Sequence, residues 1–255
     1  MQIHHLKGYI QSIYLVEYPD KLLLLDGCCR ADIALLREFI GGTLQRPFSD
    51  LKLVVVTHMH PDHAGAAHKL RELTGCLIAS ANASKPWYRG VNGALMHLTD
   101  IALANWVAGR MKRRRQNLWY PKVLVPDYKL NDQDSLPGFA EWQIVTTPGH
   151  TDRDLSVLHR PSKRIYVADL MVKVKKRYIP PFPVFHPNQY RASVSKVQAL
   201  QPHSIMLAHG GEVQLSQADF QHLEARSPAL PKTPWRAIKL KARQLLLSHP
   251  RQTGS

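Results

Sequence analysis

Cysteine is scarce, three in 255 residues. Cys28 and Cys29 are adjacent and Cys76 stands alone, which excludes a disulfide framework and fits a reducing compartment. Acidic residues are few: 19 Asp and Glu stand against 34 Lys and Arg, giving a formal net charge of +15 and a pI of about 9.9. That imbalance points to anionic partners, such as phosphate-bearing small molecules, nucleic acid or an acidic membrane surface, and says nothing about fold. No uncharged apolar run is long enough to cross a bilayer. The N-terminus lacks the basic, apolar and cleavage-site order of a secretory leader, so the chain reads as soluble and cytoplasmic. No internal repeat stands out. What is present is an ordinary hydrophobic fraction, 44%, enough for a sizeable core, together with 14 histidines.

Three of those histidines and one carboxylate fall within six residues of Thr57-His58-Met59-His60-Pro61-Asp62-His63-Ala64-Gly65. They follow Leu51-Lys52-Leu53-Val54-Val55-Val56, a β-branched apolar run that reads as a buried strand. Ala64 to Leu73 has helical character, with Gly75 as its C-cap. The histidine turn therefore joins a strand end to a helix start. Alternate residues of an extended turn face the same way, so His58 and His60 can share one metal ion. Asp62 and His63, at the helix start, can face a second ion beside it.

The order of elements frames this turn. Ile3 to Val16 is strand-like, with a strand over residues 8–17, and Lys21-Leu22-Leu23-Leu24-Leu25-Asp26-Gly27 is a more buried one. Asp26 serves either as a turn former or as an acceptor beneath a ligand histidine. Arg30 to Ile40 is helical in period and Gly41-Gly42 ends it. Cys76 to Ser80 is another strand. Alternation of this kind builds an α/β domain, a sheet covered by helices.

Residues 84–126 break the rhythm. A helix is expected over Ala94 to Arg115, with Leu95, Leu98, Ala102 and Trp106 along one face. It closes in Arg110-Met111-Lys112-Arg113-Arg114-Arg115, and Asp100 is the only acidic residue between Ser84 and Pro126. The cations can simply complement the helix dipole. Alternatively the insert is a lid that offers cations and aromatics to an anionic substrate, or rests on an acidic membrane. Nucleic acid is disfavoured, because no RNA- or DNA-binding motif accompanies the basic run. Residues 1–227 form the main domain in this reading, and 228–255 a basic tail. Trp235 to Leu247 within it could fold as an amphipathic helix that packs on the domain or touches membrane.

Three further candidates each end an expected strand, where α/β folds gather their sites. His150 follows Trp142 to Thr147 in Pro148-Gly149-His150-Thr151, Asp169 follows Ile165 to Ala168, and His209 follows His203 to Ala208. Taken with Leu25-Asp26-Gly27 and the His58–His63 turn, these elements resemble the metallo-β-lactamase superfamily, in its two-metal hydrolase branch, over roughly residues 8–215.

The resemblance implies an αββα sandwich of two mixed sheets. It implies that His58, His60 and His150 hold one metal, that Asp62, His63 and His209 hold the other, and that Asp169 bridges them. Imidazole and carboxylate suit zinc, and also manganese or iron. Two such ions can activate a shared water at neutral pH, which Asp62 would orient or deprotonate. No serine or cysteine nucleophile is then needed. A bridging Asp169 resembles the thioesterase, lactonase and phosphodiesterase branches, and His60, where oxygen-reducing relatives carry Glu, favours hydrolysis. Asp152-Arg153-Asp154 departs from the Pro-Gly-Ser many members carry after the Pro-Gly-His-Thr element, and the 84–126 insert is a second departure. The expected activity is hydrolysis of an ester, thioester or phosphodiester of an anionic small molecule. The alternatives are a lactonase with an apolar pocket, or a binding protein docked on membrane or nucleic acid.

Overall fold

The computed structural model describes residues 1–234. Six strands, β1 (Gln2–Lys7), β2 (Ser12–Glu17), β3 (Leu22–Leu24), β4 (Leu51–Val56), β5 (Leu77–Ala81) and β6 (Tyr128–Leu130), lie side by side in chain order. The β1–β2–β3 portion is antiparallel and the β3–β4–β5–β6 portion parallel. Helices α1 (Ile33–Glu38), α2 (Pro61–Ala64), α3 (Ala67–Thr74) and α4 (Gly90–Arg110) fall between these strands. The second sheet runs β14-β13-β10-β9-β8-β7. Its strands are β7 (Ser135–Leu136), β8 (Phe139–Thr146), β9 (Leu155–His159), β10 (Arg164–Tyr166), β13 (Ser204–Leu207) and β14 (Gly211–Val213). A separate hairpin pairs β11 (Val172–Val174) with β12 (Arg177–Ile179), and α5 (Pro187–Ala199) and α6 (Gln217–Arg226) complete the fold.

Period-two alternation in doubly buried strands produces the layers. On β4, Leu53 and Val55 join Tyr14, Val16, Leu23 and Leu25 against Trp142, Ile144, Val157, Tyr166 and Met206 of the second sheet. Their neighbours Val54 and Val56 point the other way, onto Leu36, Ile40, Ala67 and Leu70 of the covering helices. The far face of the second sheet does the same with Ile165, Ile205 and Leu207, under Tyr190, Val194, Val197, Phe220 and Leu223 of α5 and α6. The result is the expected αββα sandwich. Leu53 is 1% exposed in its centre, so Leu53→Ala would cost roughly 2–5 kcal/mol.

Several boundaries differ from expectation, each for a local reason. The strand expected over residues 8–17 breaks at Gly8, whose N–H bonds the Gln11 carbonyl in a turn (2.8 Å). That turn makes β1 and β2 a hairpin and brings Ile10 towards the site. Helix α4 spans 90–110 rather than 94–115, because Lys112 turns to φ 57° and Arg113 leaves the helix to bond the carbonyls of Tyr9 and Gly8 (both 3.0 Å). The basic run at 173–177 forms the turn of the β11–β12 hairpin, with Lys175 at φ 56°. Gly75, at φ 73°, caps α3 as expected. The amphipathic helix expected over 235–247 lies outside the described residues, while Lys232 and Val184 pair backbone to backbone (both bonds 2.9 Å).

Candidate metal centre

The strand ends converge. β4 delivers the His58–His63 turn, the loop after β8 delivers His150, a single helical turn after β10 delivers Asp169, and His209 follows β13. Local chemistry sets each one. Pro61 opens α2, where its missing N–H is not required, and so fixes Asp62 and His63 on the first turn. Gly149 sits at φ 148° with Tyr190 so close that a Cβ would come within 2.4 Å of its Cα. Any larger residue there would push His150 away from the centre. The Asp152-Arg153-Asp154 departure now has a role. Asp154 accepts from the N–H of Gly149 (3.1 Å) and of Thr151 (2.6 Å) and so rigidifies the His150 loop.

All the ligand atoms fall into two clusters: His58, His60, His150 and Asp169, and beside it Asp62, His63 and His209. In the first, His60 Nδ1 lies 3.1 Å from His58 Nε2 and 2.9 Å from His150 Nε2, and Asp169 Oδ2 is 3.5 Å from His150 Nε2. In the second, His209 Nε2 is 3.3 Å from Asp62 Oδ2, and His63 Nε2 is 3.6 Å from it. The other oxygen of Asp169, Oδ1, lies 3.4 Å from both His63 Nε2 and His209 Nε2. One carboxylate thus turns an oxygen to each cluster. Ligands held about 2.0–2.1 Å from a tetrahedral ion sit roughly 3.4 Å apart, the spacing found here.

Charge and hydrogen bonding support a cation. His63 Nε2 and Asp169 Oδ1 are buried without a hydrogen-bond partner, a costly arrangement that a metal ion would satisfy. Two imidazoles are held from behind with Nε2 turned inward: His63 Nδ1 donates to Asp26 (2.6 Å) and His150 Nδ1 donates to the Pro183 carbonyl (2.6 Å). Burial, then the mutual repulsion of the rings, pushes His58 well below its usual range. Burial holds His60 at about 4. Neutral imidazole, the ligand form, therefore prevails in the first cluster. In the second, burial opposes charging of His63, but Asp62, Asp26 and Asp169 outweigh it and raise the ring strongly. Excess negative charge there holds a proton that a divalent ion can replace.

Asp26 is both things the sequence left open. It accepts from Gly27 N–H (3.0 Å) and the Thr57 hydroxyl (2.8 Å) at the turn, and from His63 and the Tyr166 hydroxyl (2.8 Å) beneath the metal site. Sequence reasoning missed Asp100. From α4 it comes within 3.8 Å of His60 Nε2 and accepts from Tyr88 (2.8 Å), which in turn contacts Tyr120 (2.9 Å). Burial lifts its carboxyl to about 6. Its isolation as the one acid of a basic insert was the available signal.

A cleft of about 140 Å3 opens over Asp62, Asp169 and His209, walled by Ile10, Leu103, Val107 and Phe182. Among the described residues no Lys or Arg lines it, so the cations of the insert do not reach into it as a substrate grip. A second cleft of about 160 Å3 carries Lys85, Lys122, Lys129 and Arg153, but shares only His58 with the ligand set.

An αββα sandwich whose strand ends gather histidines and aspartates into paired metal-ligand clusters defines a class of metallo-hydrolases. Residues 6–209 match the sequence model of the metallo-beta-lactamase superfamily, and the chain belongs to that superfamily as one of its hydrolases. A "Probable metallo-hydrolase YflN" of Bacillus subtilis (strain 168) is 22% identical over 228 residues, 82% of this chain and 83% of the relative. The fold is shared with the metallo-beta-lactamase family protein TTHA1429 from Thermus thermophilus, at TM-score 0.64 and 19% identity over 97% of this chain and 83% of that one. It is shared also with TTHA1623, whose structure is described as a di-iron-bound form, at TM-score 0.58 and 21% identity over 92% and 100%. Among the described residues no helix is long and apolar enough to cross a membrane.

Proposed function

We propose that the protein hydrolyses an ester, thioester or lactone bearing an apolar group, with two divalent metal ions held by His58, His60, Asp62, His63, His150, Asp169 and His209. The observation that carries this reading is Asp169, whose two oxygens face one cluster each. Bound ions would supply an activated water and polarise the scissile bond. Zinc is the favoured metal, since imidazole-rich sites suit it, and iron is the alternative by likeness to the di-iron neighbour.

The chain's own residues do the rest. Asp62, whose side chain is 12% exposed and reaches the cleft, would accept the proton of the attacking water. Leu103, Val107, Ile10 and Phe182 give the leaving or acyl portion an apolar wall that also excludes water. This lining supports the apolar-pocket reading over an anionic group held within the cleft. The free, buried cysteines suit a reducing, cytoplasmic setting.

The test is metal content after reconstitution, followed by turnover of ester, thioester, lactone and phosphodiester panels with and without chelator. About two ions per chain and chelator-sensitive turnover that rises with acyl length are expected. Fewer than one ion per chain, or chelator-insensitive turnover, refutes the reading.

A further inference from the structure

Helix α4 has two apolar faces, and only one is used by the fold. Gly93, His97, Asp100, Ala104 and Ala108 are buried against the domain. On the opposite side Val91 (77% exposed), Leu95 (48%), Leu98 (52%) and Trp106 (61%) stand in water, with Ala102 exposed among them. At about 100° per residue these positions fall within an arc of roughly 80°. The stripe is about 22 Å long. Monomeric proteins rarely leave so continuous an apolar strip uncovered.

The charges around the stripe say what covers it. From Ser84 to Pro126 there are eight Lys and Arg and one acid, Asp100, which is turned into the domain. Arg89 precedes the helix, and Arg110, Lys112, Arg114 and Arg115 cluster exposed at its end. Arg110 lies over the Trp106 ring (5.4 Å). Trp119, 55% exposed, and Met111, 44% exposed, extend the apolar surface into that cluster. A second copy of the chain would set cations against cations whether the helices paired parallel or antiparallel, with no acid on the face to offset them. An acidic bilayer satisfies both features at once. Apolar side chains enter the acyl boundary, tryptophan sits at headgroup level, and the cations meet lipid phosphates.

We propose that the exposed face of α4 is a membrane-docking surface for acidic lipid, formed by Val91, Leu95, Leu98 and Trp106 with Arg110, Arg114 and Arg115. It is independent of the hydrolase reading, since none of these side chains lines the metal cleft.

The experiment is flotation of the full-length protein with phosphatidylcholine vesicles, with or without 30% phosphatidylglycerol, across a salt series, alongside sedimentation of the protein alone. Binding to the anionic vesicles and not the neutral ones, weakening with salt, is expected. Each cation near the surface multiplies partitioning about fivefold, so the double variant R114E/R115E should lose at least about 25-fold. Leu98→Glu should lose about tenfold or more. Lys52→Glu, at the end of β4 away from the histidine turn, should lose less than about fivefold. Wild-type tryptophan emission should be quenched by brominated acyl chains, less so in Trp106→Phe, which keeps the measurement free of folding effects. Absence of vesicle binding, equal binding by Leu98→Glu, or a dimer in solution that Leu98→Glu dissociates would each overturn the proposal.

Discussion

Replacing Asp26 by Asn should empty half of the metal centre without touching a ligand. Asp26 Oδ2 accepts from His63 Nδ1 at 2.6 Å, from the Thr57 hydroxyl at 2.8 Å and from Tyr166 at 2.8 Å, while Oδ1 holds the Gly27 and Thr57 N–H groups. In Asp26→Asn the carbonyl oxygen can keep the two backbone donors, which puts the amide NH2 against His63 Nδ1–H. A metal ion on Nε2, the atom that faces Asp62 and Asp169, leaves the ring's one proton on Nδ1, so metal binding at that cluster must bear the clash. Losing a partner of this kind lowers metal affinity about 10–100-fold, or roughly 1.4–2.7 kcal/mol. The His58–His60–His150 cluster does not contact Asp26, so its affinity should hold. Titration against a chromophoric chelator should resolve one unchanged step and one weakened step. Two undisturbed binding steps would refute the reasoning.

Stripping metal should lower the melting temperature. At a hundredfold excess over its dissociation constant one ion adds about 2.7 kcal/mol, which for a chain of this size is roughly 5–10 °C by calorimetry. Asp169→Ala should abolish tight binding of both ions, since each cluster loses an oxygen, and atomic-emission analysis would then find under one ion per chain after dialysis. Leu103→Glu should lower kcat/KM about 10–100-fold for long-chain esters and far less for acetyl esters, as judged by steady-state kinetics on a chain-length series. Asp32 gives a pH signature. Burial raises its carboxyl to about 6 although the N–H groups of Tyr9 and Cys29 bond it. The folded state therefore binds the proton more tightly than the unfolded one, whose carboxyl titrates near 3.9, so this group's contribution to stability falls as pH rises from about 4 to about 6. The drop is about 3 kcal/mol at most, and denaturant unfolding of Asp32→Asn across that range should show it flattened.

The buried strands and the histidine turn after β4 were legible because both follow short-range rules. Alternating or continuous apolar runs mark buried strands, and a histidine turn at a strand end fixes its own geometry. Boundaries were less legible where a distant partner decides them. Arg113 leaves α4 to bind the carbonyls of residues 8 and 9, more than a hundred positions away, and nothing near Arg113 in sequence announces that. β6 and β7 are short strands at sheet edges, too brief to carry a period. Asp100 was visible as the lone acid of its segment, but its nearness to His60 depends on how α4 lies across the strand ends. The stripe of Leu95, Leu98, Ala102 and Trp106 was legible as a helix face. Whether it faced the core or water was not, because both faces of α4 carry apolar residues.

That ambiguity has a physical consequence. A helix whose two sides are apolar can cover the metal cleft with one edge and still present a surface to something else, and α4 does so with Leu103 and Val107 at the cleft and Leu98 and Trp106 in water. Asp100 ties the same helix to His60 through a buried carboxyl and accepts from Tyr88, while Tyr120 donates to the Met59 carbonyl inside the histidine turn (2.5 Å). A shift of α4 on a surface would therefore act directly on the turn that carries the metal ligands. Kinetics on anionic vesicles provide the check. If docking and turnover are coupled through this helix, Leu98→Glu should leave soluble-substrate turnover unchanged and remove any rate increase that vesicles produce in the wild type.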